Sequence, residues 1–185
     1  YGCAKLARRL GVPFRSGGSL TAAKSVDAQS AYESAHTIIP TVMGGVNFAL
    51  HSAGWLEGGL VSDFAKLVLD ADQLTMMNSL VSGIDVSENG MALDALKQVG
   101  PGQHFLGSEH TQSNFETAFW RSSIADYTTY EQWSSEGSQE AEFRARSRAK
   151  QMLDSYQAPL IDKTIDDELR AFIDRRKNIL PDSDY

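Results

Sequence analysis

Four side chains able to take part in acid–base chemistry stand where apolar, strand-like segments give way to loops. His51 closes one such segment and is followed by Glu57, while Glu109 and His110 come directly after another. Imidazole and carboxyl groups hold or move protons in many active sites. Because the same residue types follow two segments, we predict that these four residues are catalytic. A structural role in the loops is the alternative for each of them.

The sequence carries no general catalytic signature. It lacks a P-loop, a G-x-G-x-x-G after a strand, a G-x-S-x-G elbow and an H-E-x-x-H zinc motif. No histidine pair spaced four residues apart and no cysteine partner supports a zinc site, so we predict no metal. The single cysteine, Cys3, lies on a predicted helix, and we expect it to be a small buried apolar residue.

A second group of side chains is suited to holding a substrate. Aromatic faces beside carboxylates attract a quaternary ammonium ion, although packing is the more common role of an aromatic residue in such a place. Asn47 lies within a predicted strand, and Arg15 or Arg121 would attract a substrate carboxylate. The aromatic residues near the acidic segment ends are Trp55, Tyr32, Phe119 and Trp120.

A scaffold of alternating strands and helices would bring these residues together. Apolar runs predict strands near 12–16, 46–51 and 104–107. Parallel strands place their carboxyl ends at one edge of a sheet, so Asn47, His51, Glu57, Glu109 and His110 should gather there. Capped periodic segments predict helices at 28–43, which Pro40 should kink or end early, at 62–83 with Ser62 as its cap, and at 88–99, 140–151 and 165–176.

This alternation predicts an α/β fold, specifically a portion of a (βα)8 TIM-type barrel with a helical C-terminal extension. We assign residues 1–125 to carboxyl-terminal βα units of the barrel and residues 126–185 to the extension. The chain opens inside a helix that ends at Gly11. A whole barrel typically needs ~250 residues, so we expect an amino-terminal portion to be missing. A lone portion should expose an apolar sheet edge unless a homo-oligomer covers it.

Composition narrows the classes of function. With 42% apolar and 22% charged residues, the chain should fold around a core. A net charge of −7 argues against a nucleic-acid partner. No apolar run approaches the ~18 residues of a membrane-spanning helix, so we expect no membrane partner. A single cysteine fits a reducing cytosol, and a cytoplasmic location is expected.

One stretch of the sequence is distinctive. Residues 44–60 read GGVNFALHSAGWLEGGL and resemble the trimethylamine methyltransferase family. Further similar segments follow the family's order along essentially the whole chain, and they match the carboxyl-terminal part of that family. These segments are residues 15–18, 27–34 and 104–111, with the later Phe115, Phe119 and Trp120.

The resemblance implies a barrel enzyme that moves a methyl group from a methylated amine to the cobalt of a corrinoid. The corrinoid, a cobalamin, would be carried by a separate partner protein, and no cofactor would be tightly bound. The family serves methylamine and betaine metabolism, including methanogenesis. Its trimethylamine-using members contain pyrrolysine, whereas this sequence shows only standard residues. A second branch lacks pyrrolysine, and some of its members demethylate quaternary amines such as glycine betaine.

We therefore expect a corrinoid-dependent methyltransferase acting on a quaternary amine. A non-catalytic binding protein for betaine-like quaternary ammonium compounds is the first alternative. A metal-assisted lyase or hydrolase on the same barrel is the second.

Overall fold

The structure is a computed structural model that describes residues 1–180. Its described residues form two compact units, 1–151 and 152–180. The boundary assigned at residue 125, between barrel units and extension, stays a prediction. Residues 181–185 of that extension lie outside the described residues.

Strands and helices alternate only in the first part of the chain. Four short strands are present in the described residues: β1 (Arg15–Gly17), β2 (Phe48–Leu50), β3 (Trp55–Leu56) and β4 (Val61–Ser62). The helices are α1 (Gly2–Leu10), α2 (Ala28–Gly44), α3 (Phe64–Val81), α4 (Glu88–Met91), α5 (Leu93–Val99), α6 (Glu109–Asn114), α7 (Tyr130–Ser135), α8 (Ala141–Asp154) and α9 (Lys163–Ile179).

The helix α2 begins where the sequence indicates. The Asp27 side chain accepts a hydrogen bond from the Ser30 amide, and the Ser30 hydroxyl accepts one from the Asp27 amide, which forms a capping box. Of the two outcomes predicted for Pro40, a kink or an early end, the early end does not occur, because the helix continues to Gly44. The hydroxyl of Thr41 donates to the Gly17 carbonyl at 2.8 Å and so attaches the last turn to β1.

The strands β1 and β2 pair in parallel, with α2 as their connection, and they form one βαβ unit. Their register places Arg15 opposite Phe48 and Gly17 opposite Leu50. The two predicted parallel strands are thus confirmed, although the ladder covers only three residues of each. In the described residues each of these strands has only the other as a partner, and Phe48 on β2 is 60% exposed, as expected of an uncovered apolar sheet edge. Membership of this unit in a larger barrel stays a prediction.

The predicted third strand at residues 104–107 is wrong. The Phe105 carbonyl accepts a hydrogen bond from the Ser108 amide at 3.0 Å, and the Leu106 carbonyl accepts one from the Gln112 side chain at 2.8 Å. These carbonyls are used locally, and Leu106 is 74% exposed. An apolar run becomes a strand only where another strand pairs with it, and none does so in the described part of the chain.

The loop expected after β2 instead contains a small hairpin. Here β3 and β4 pair antiparallel, with Trp55 opposite Ser62. Ser62 therefore belongs to a strand, and its predicted role as a helix cap is wrong. Asp63 caps α3 by accepting a hydrogen bond from the Lys66 amide at 2.9 Å.

The later helices follow the sequence pattern with one interruption. The helix predicted at 88–99 is divided into α4 and α5 by Ala92, whose φ of 50° lies in the left-handed region. The predicted helices at 140–151 and 165–176 correspond to α8 and α9. Cys3 is exposed on α1, so the buried role expected for it is wrong; the buried positions of that helix are Ala4 and Ala7.

A buried ion pair links α3 to two other parts of the chain. The Lys66 ammonium lies 2.5 Å and 2.6 Å from the two oxygens of Asp70 and 2.8 Å from the Ser34 hydroxyl of α2. Asp70 also accepts a hydrogen bond from the Gly54 amide at 2.9 Å. Lys66 is 2% and Asp70 3% exposed. Burial raises the pKa of the Asp70 carboxyl, and the hydrogen bonds from Lys66 and Gly54 oppose that rise.

Replacing Lys66 with methionine should destabilise the protein at neutral pH by about 3–5 kcal/mol, the usual cost of leaving a buried charge unpaired. Without the ammonium, the pKa of Asp70 in the folded state rises further above its unfolded value. The loss of stability should therefore grow with rising pH and shrink in acid, where Asp70 is protonated in both states. Chemical unfolding of wild type and Lys66→Met at several pH values measures this.

The matched control is Lys97→Met, which removes an exposed lysine that pairs with Asp94 at 3.3 Å. That change should alter the free energy of unfolding by no more than about 1 kcal/mol. The double variant Lys66→Met/Asp70→Asn removes both buried charges and should be more stable than Lys66→Met alone. Equal, small losses for Lys66→Met and Lys97→Met would contradict the role assigned to the ion pair.

Candidate functional site

His51 and Trp55 form the centre of the candidate site. His51 directly follows β2 and is exposed, and its ring meets the Trp55 ring edge-on, with centroids 5.3 Å apart and planes at 81°. The backbone φ of His51 is 55°, in the left-handed region. Such a conformation is costly for a non-glycine residue and occurs preferentially at functional sites. The end of β2 therefore presents an aromatic pair in a fixed, strained turn.

Glu57 lies on the same loop and shares this unusual backbone. Its φ is 50°, and its side chain is exposed. Within residues 1–180 its carboxylate has no hydrogen bond or ion pair, whereas its amide donates to the Ala23 carbonyl at 2.8 Å. The Gly58 amide donates to the Thr21 carbonyl at 2.8 Å as well. The backbone of Glu57 is thus fixed while its charge remains available.

The segment that holds Glu57 is itself held by Glu33 of α2. The Glu33 carboxylate accepts hydrogen bonds from the Thr21 hydroxyl at 2.7 Å and from the Ala22 amide at 2.8 Å. These bonds, the one from Thr21 foremost, lower the pKa of Glu33 below its ordinary value. Glu33 therefore positions the candidate site indirectly, through residues 21–23.

Gly54 is required by a close approach between the loop and α3. Its φ is 83°, and a Cβ at this position would lie 3.1 Å from the Cβ of Leu67. Beside it, a cavity of about 190 Å³ is lined by Trp55, Asp63 and Phe64, among others. Trp55 thus both lines this cavity and contacts His51.

Asn47 and Arg15 lie at the amino ends of the strands, Asn47 directly before β2 and Arg15 as the first residue of β1. The Asn47 side chain accepts a hydrogen bond from the Phe14 amide at 3.0 Å, and its own amide donates to the Phe14 carbonyl at 3.0 Å. Asn47 precedes β2, so it does not lie at the carboxyl end as predicted. Asn47 and His51 are four positions apart along extended chain, which corresponds to roughly 13 Å. The substrate-binding roles assigned to Asn47 and Arg15 stay predictions.

Glu109 and His110 occupy the first turn of α6 and not a strand end. The Nε2 atom of His110 lies 2.7 Å from the Asn89 carbonyl oxygen. Both residues line a cavity of about 380 Å³ with residues of α4 and α5. The structure pairs His110 with Asn89, and the proximity of this group to His51 stays a prediction.

The remaining predicted aromatic residues have separate surroundings. Tyr32 is 54% exposed and lies against His36, with centroids 6.3 Å apart. Phe119 is 78% exposed. Trp120 lines a cavity of about 490 Å³ together with Tyr127 and with the charged residues Asp27, Lys66, Asp70, Asp72, Glu140 and Glu142. In the described residues, no ring contact joins two of the four residues predicted to enclose a cation.

Sequence reasoning missed the residues that support the site. Glu33, Lys66 and Asp70 carry no motif, and only the structure shows what they contact. One signal was available: Lys66 and Asp70 stand four residues apart in an otherwise mostly apolar stretch of α3. Charges at that spacing lie on one helix face, and on a buried face they must pair.

The described residues contain neither a metal-binding cluster nor a membrane-spanning helix. Among residues 1–180 no group of three His, Cys, Asp or Glu side chains is arranged to hold a metal ion. No helix in that part of the chain is both long and apolar enough to cross a membrane.

Comparison with known proteins gives a consistent result. The sequence profile of the family described as trimethylamine methyltransferase matches residues 1–181. A glycine betaine methyltransferase of Desulfitobacterium hafniense strain Y51 is 40% identical over 173 residues, which cover 94% of this chain and 36% of that relative.

Other relatives are less similar. A trimethylamine methyltransferase from another strain of Desulfitobacterium hafniense is 29% identical over 96% of this chain and 35% of its own length. One from Methanosarcina barkeri is 29% identical over 93% of this chain and 34% of its length. The chain thus spans about a third of the length of the curated relatives it matches.

The Glu33 contacts predict a pH-dependent contribution to stability. Because the pKa of Glu33 is lowered in the folded state, its charge stabilises the fold above the ordinary pKa of a glutamic acid, and this contribution is lost as the pH falls through the folded value. Glu33→Gln should therefore unfold more easily than wild type at neutral pH. The difference should disappear in acid, as measured by chemical unfolding at pH values from neutral to strongly acidic.

Glu131→Gln provides the control, since Glu131 is exposed on α7. Its unfolding curve should follow that of the wild type at every pH. A difference between Glu33→Gln and wild type that stayed constant in acid would show that the charge of Glu33 does not matter.

Proposed function

Because the chain belongs to the trimethylamine methyltransferase family, we propose that it is part of a methyltransferase. This enzyme moves a methyl group from a quaternary amine to the cobalt of a corrinoid carried by a partner protein. The observation that carries the choice of donor is the identity of 40% to a glycine betaine methyltransferase, against 29% to trimethylamine methyltransferases. A cytoplasmic location belongs to the same proposal.

The chemistry suits a donor that is already a cation. In the transfer, the bond between the methyl carbon and nitrogen breaks, and its electron pair stays on nitrogen. A quaternary amine then leaves as a neutral tertiary amine, so no proton has to be supplied. Cobalt(I) provides the nucleophile. The protein has only to bind the donor, orient its methyl group and leave room for the partner.

The residues after β2 can perform the binding step. A quaternary ammonium has no N–H to donate, so aromatic faces and carboxylates are the groups that attract it. Trp55 supplies such a face, and its orientation is set by the contact with His51 at 5.3 Å. Glu57 supplies a carboxylate that is exposed and without a partner in the described chain. Since His51 and Glu57 are exposed, the site is open to a large partner protein.

The binding-only alternative is less well supported, because the relatives reported above are named methyltransferases. The metal-assisted alternative has no observation in its favour.

The direct test supplies the complete protein with a cobalt(I) corrinoid and with each donor in turn. We expect methyl transfer from a quaternary amine such as glycine betaine. Transfer from trimethylamine alone would overturn the choice of donor, and donor binding without any transfer would support the binding-only reading.

Two substitutions test the site itself. Trp55→Ala and Glu57→Gln should each weaken binding of the quaternary donor by roughly 2- to 30-fold, the equivalent of a cation–π contact or of a comparable charge interaction. Donor titration by calorimetry measures the affinity, and thermal unfolding of the same samples separates lost binding from lost packing.

Trp133→Ala and Glu131→Gln are the matched controls, because both residues lie on α7. They should leave donor affinity unchanged. Full affinity in both Trp55→Ala and Glu57→Gln would place the donor elsewhere, even if methyl transfer itself is observed.

A further inference from the structure

The last helix, α9, carries an apolar face that is not buried and that only Arg176 interrupts. Ile165, Leu169, Phe172 and Ile173 are between 49% and 53% exposed, and Ile179 is 67% exposed. None of the residues of α9 is buried. Their spacing of three, four and seven residues places these side chains on one side of the helix. An apolar stripe of this kind generally marks a binding surface.

Charged residues flank this face in a polarised order. Asp166 and Lys177 are eleven residues apart, about three helical turns, and so lie on the same flank. Glu168 and Arg175 are seven residues apart, about two turns, and lie on the other flank. Each flank therefore has an acid near the start of α9 and a base near its end.

We propose that two copies of this chain associate through α9, with the two helices antiparallel and a two-fold axis passing near Phe172. In this arrangement Ile165 lies level with Ile179 of the partner subunit, and Phe172 lies level with its own counterpart. The same axis brings Asp166 close to Lys177 of the partner subunit. The apolar pairs and this charged pair independently give nearly the same register.

The second flank agrees with this register. Glu168 comes close to Arg175 of the partner subunit, because antiparallel helices place equivalent flanks against each other. Arg176, which lies within the apolar face near its end, is level with Glu168 of the partner subunit. The two-fold axis repeats each contact, so an acidic residue meets a basic residue of the partner subunit at both ends of each flank.

The parallel alternative has the wrong electrostatics. Two parallel helices in register place opposite flanks against each other, so Asp166 would face Glu168 of the partner subunit and Lys177 would face Arg175 of the partner subunit. These are like charges, and they repel. The hydrogen bond between Arg170 and Asp166 at 2.8 Å lies within a single helix and is compatible with either order. Charge complementarity thus selects the antiparallel pair.

Charge reversal tests the proposal. The double variants Asp166→Lys/Glu168→Lys and Arg175→Glu/Lys177→Glu should each associate at least roughly tenfold more weakly than the wild type, because every flanking contact becomes repulsive. An equal mixture of the two variants should associate again, since acids then meet bases. Analytical ultracentrifugation of the whole chain measures association, and circular dichroism verifies that each variant is folded.

The control reverses two exposed charges away from α9, in Asp94→Lys/Glu131→Lys, and should associate like the wild type. A monomeric wild type, or two charge variants that associate as strongly as the wild type, would overturn the proposal. Burial of α9 by another segment or protein is the arrangement those results would favour.

Disulfide formation tests the helix order. In a Cys3→Ser background, Ile165→Cys and Ile179→Cys each supply one cysteine. Antiparallel pairing predicts that oxidation of a mixture yields mainly the disulfide between the two different variants, with little dimer from either variant alone. Predominant disulfides within a single variant would indicate parallel helices and overturn the proposed arrangement.

Discussion

The ion pair between Lys66 and Asp70 is the contact on which the candidate site depends. It joins α3 to Ser34 of α2 and to the amide of Gly54 in the loop that carries Trp55. Buried charges are tolerated only when they are paired and hydrogen-bonded, so these parts of the chain must keep one arrangement. The loop after β2 is therefore positioned by two charges in the interior and not by the short strand that precedes it.

Glu33 of α2 provides a second support for the loop. Glu33 fixes residues 21–23, whose carbonyl groups accept hydrogen bonds from Glu57 and Gly58. Both supports reach the loop from helices, and both leave the side chain of Glu57 exposed. The candidate site thus combines a backbone held by hydrogen bonds with an exposed carboxylate, which suits the proposed binding of a cation. The positive φ of Glu57 persists because the hydrogen bonds of Glu57 and Gly58 to residues 21–23 hold its backbone.

The sequence predicted the features that depend on nearby residues. Asp27 caps α2 and Gly11 ends α1, because capping chemistry determines such features. The parallel pairing of β1 with β2 is a distant contact, and the alternation of strand and helix along the chain predicted it. Sequence reasoning failed for other distant contacts. The run at 104–107 has no strand to pair with, and the Trp55 hairpin forms inside a segment whose glycines indicated only a loop. His51 and Glu57 were found from residue type, whereas Glu33 and Lys66 required the folded structure.

Hydrogen exchange at the Gly54 amide reports the motion of the loop. The amide proton is buried and bonded to Asp70, so it can exchange with solvent deuterium only during excursions that break the contact between loop and α3. The neighbouring His51 is exposed. Two amides a few residues apart should then exchange on widely different timescales. The ratio of the two exchange rates reports how often the loop that carries Trp55 separates from α3. This measurement needs no substitution in the chain.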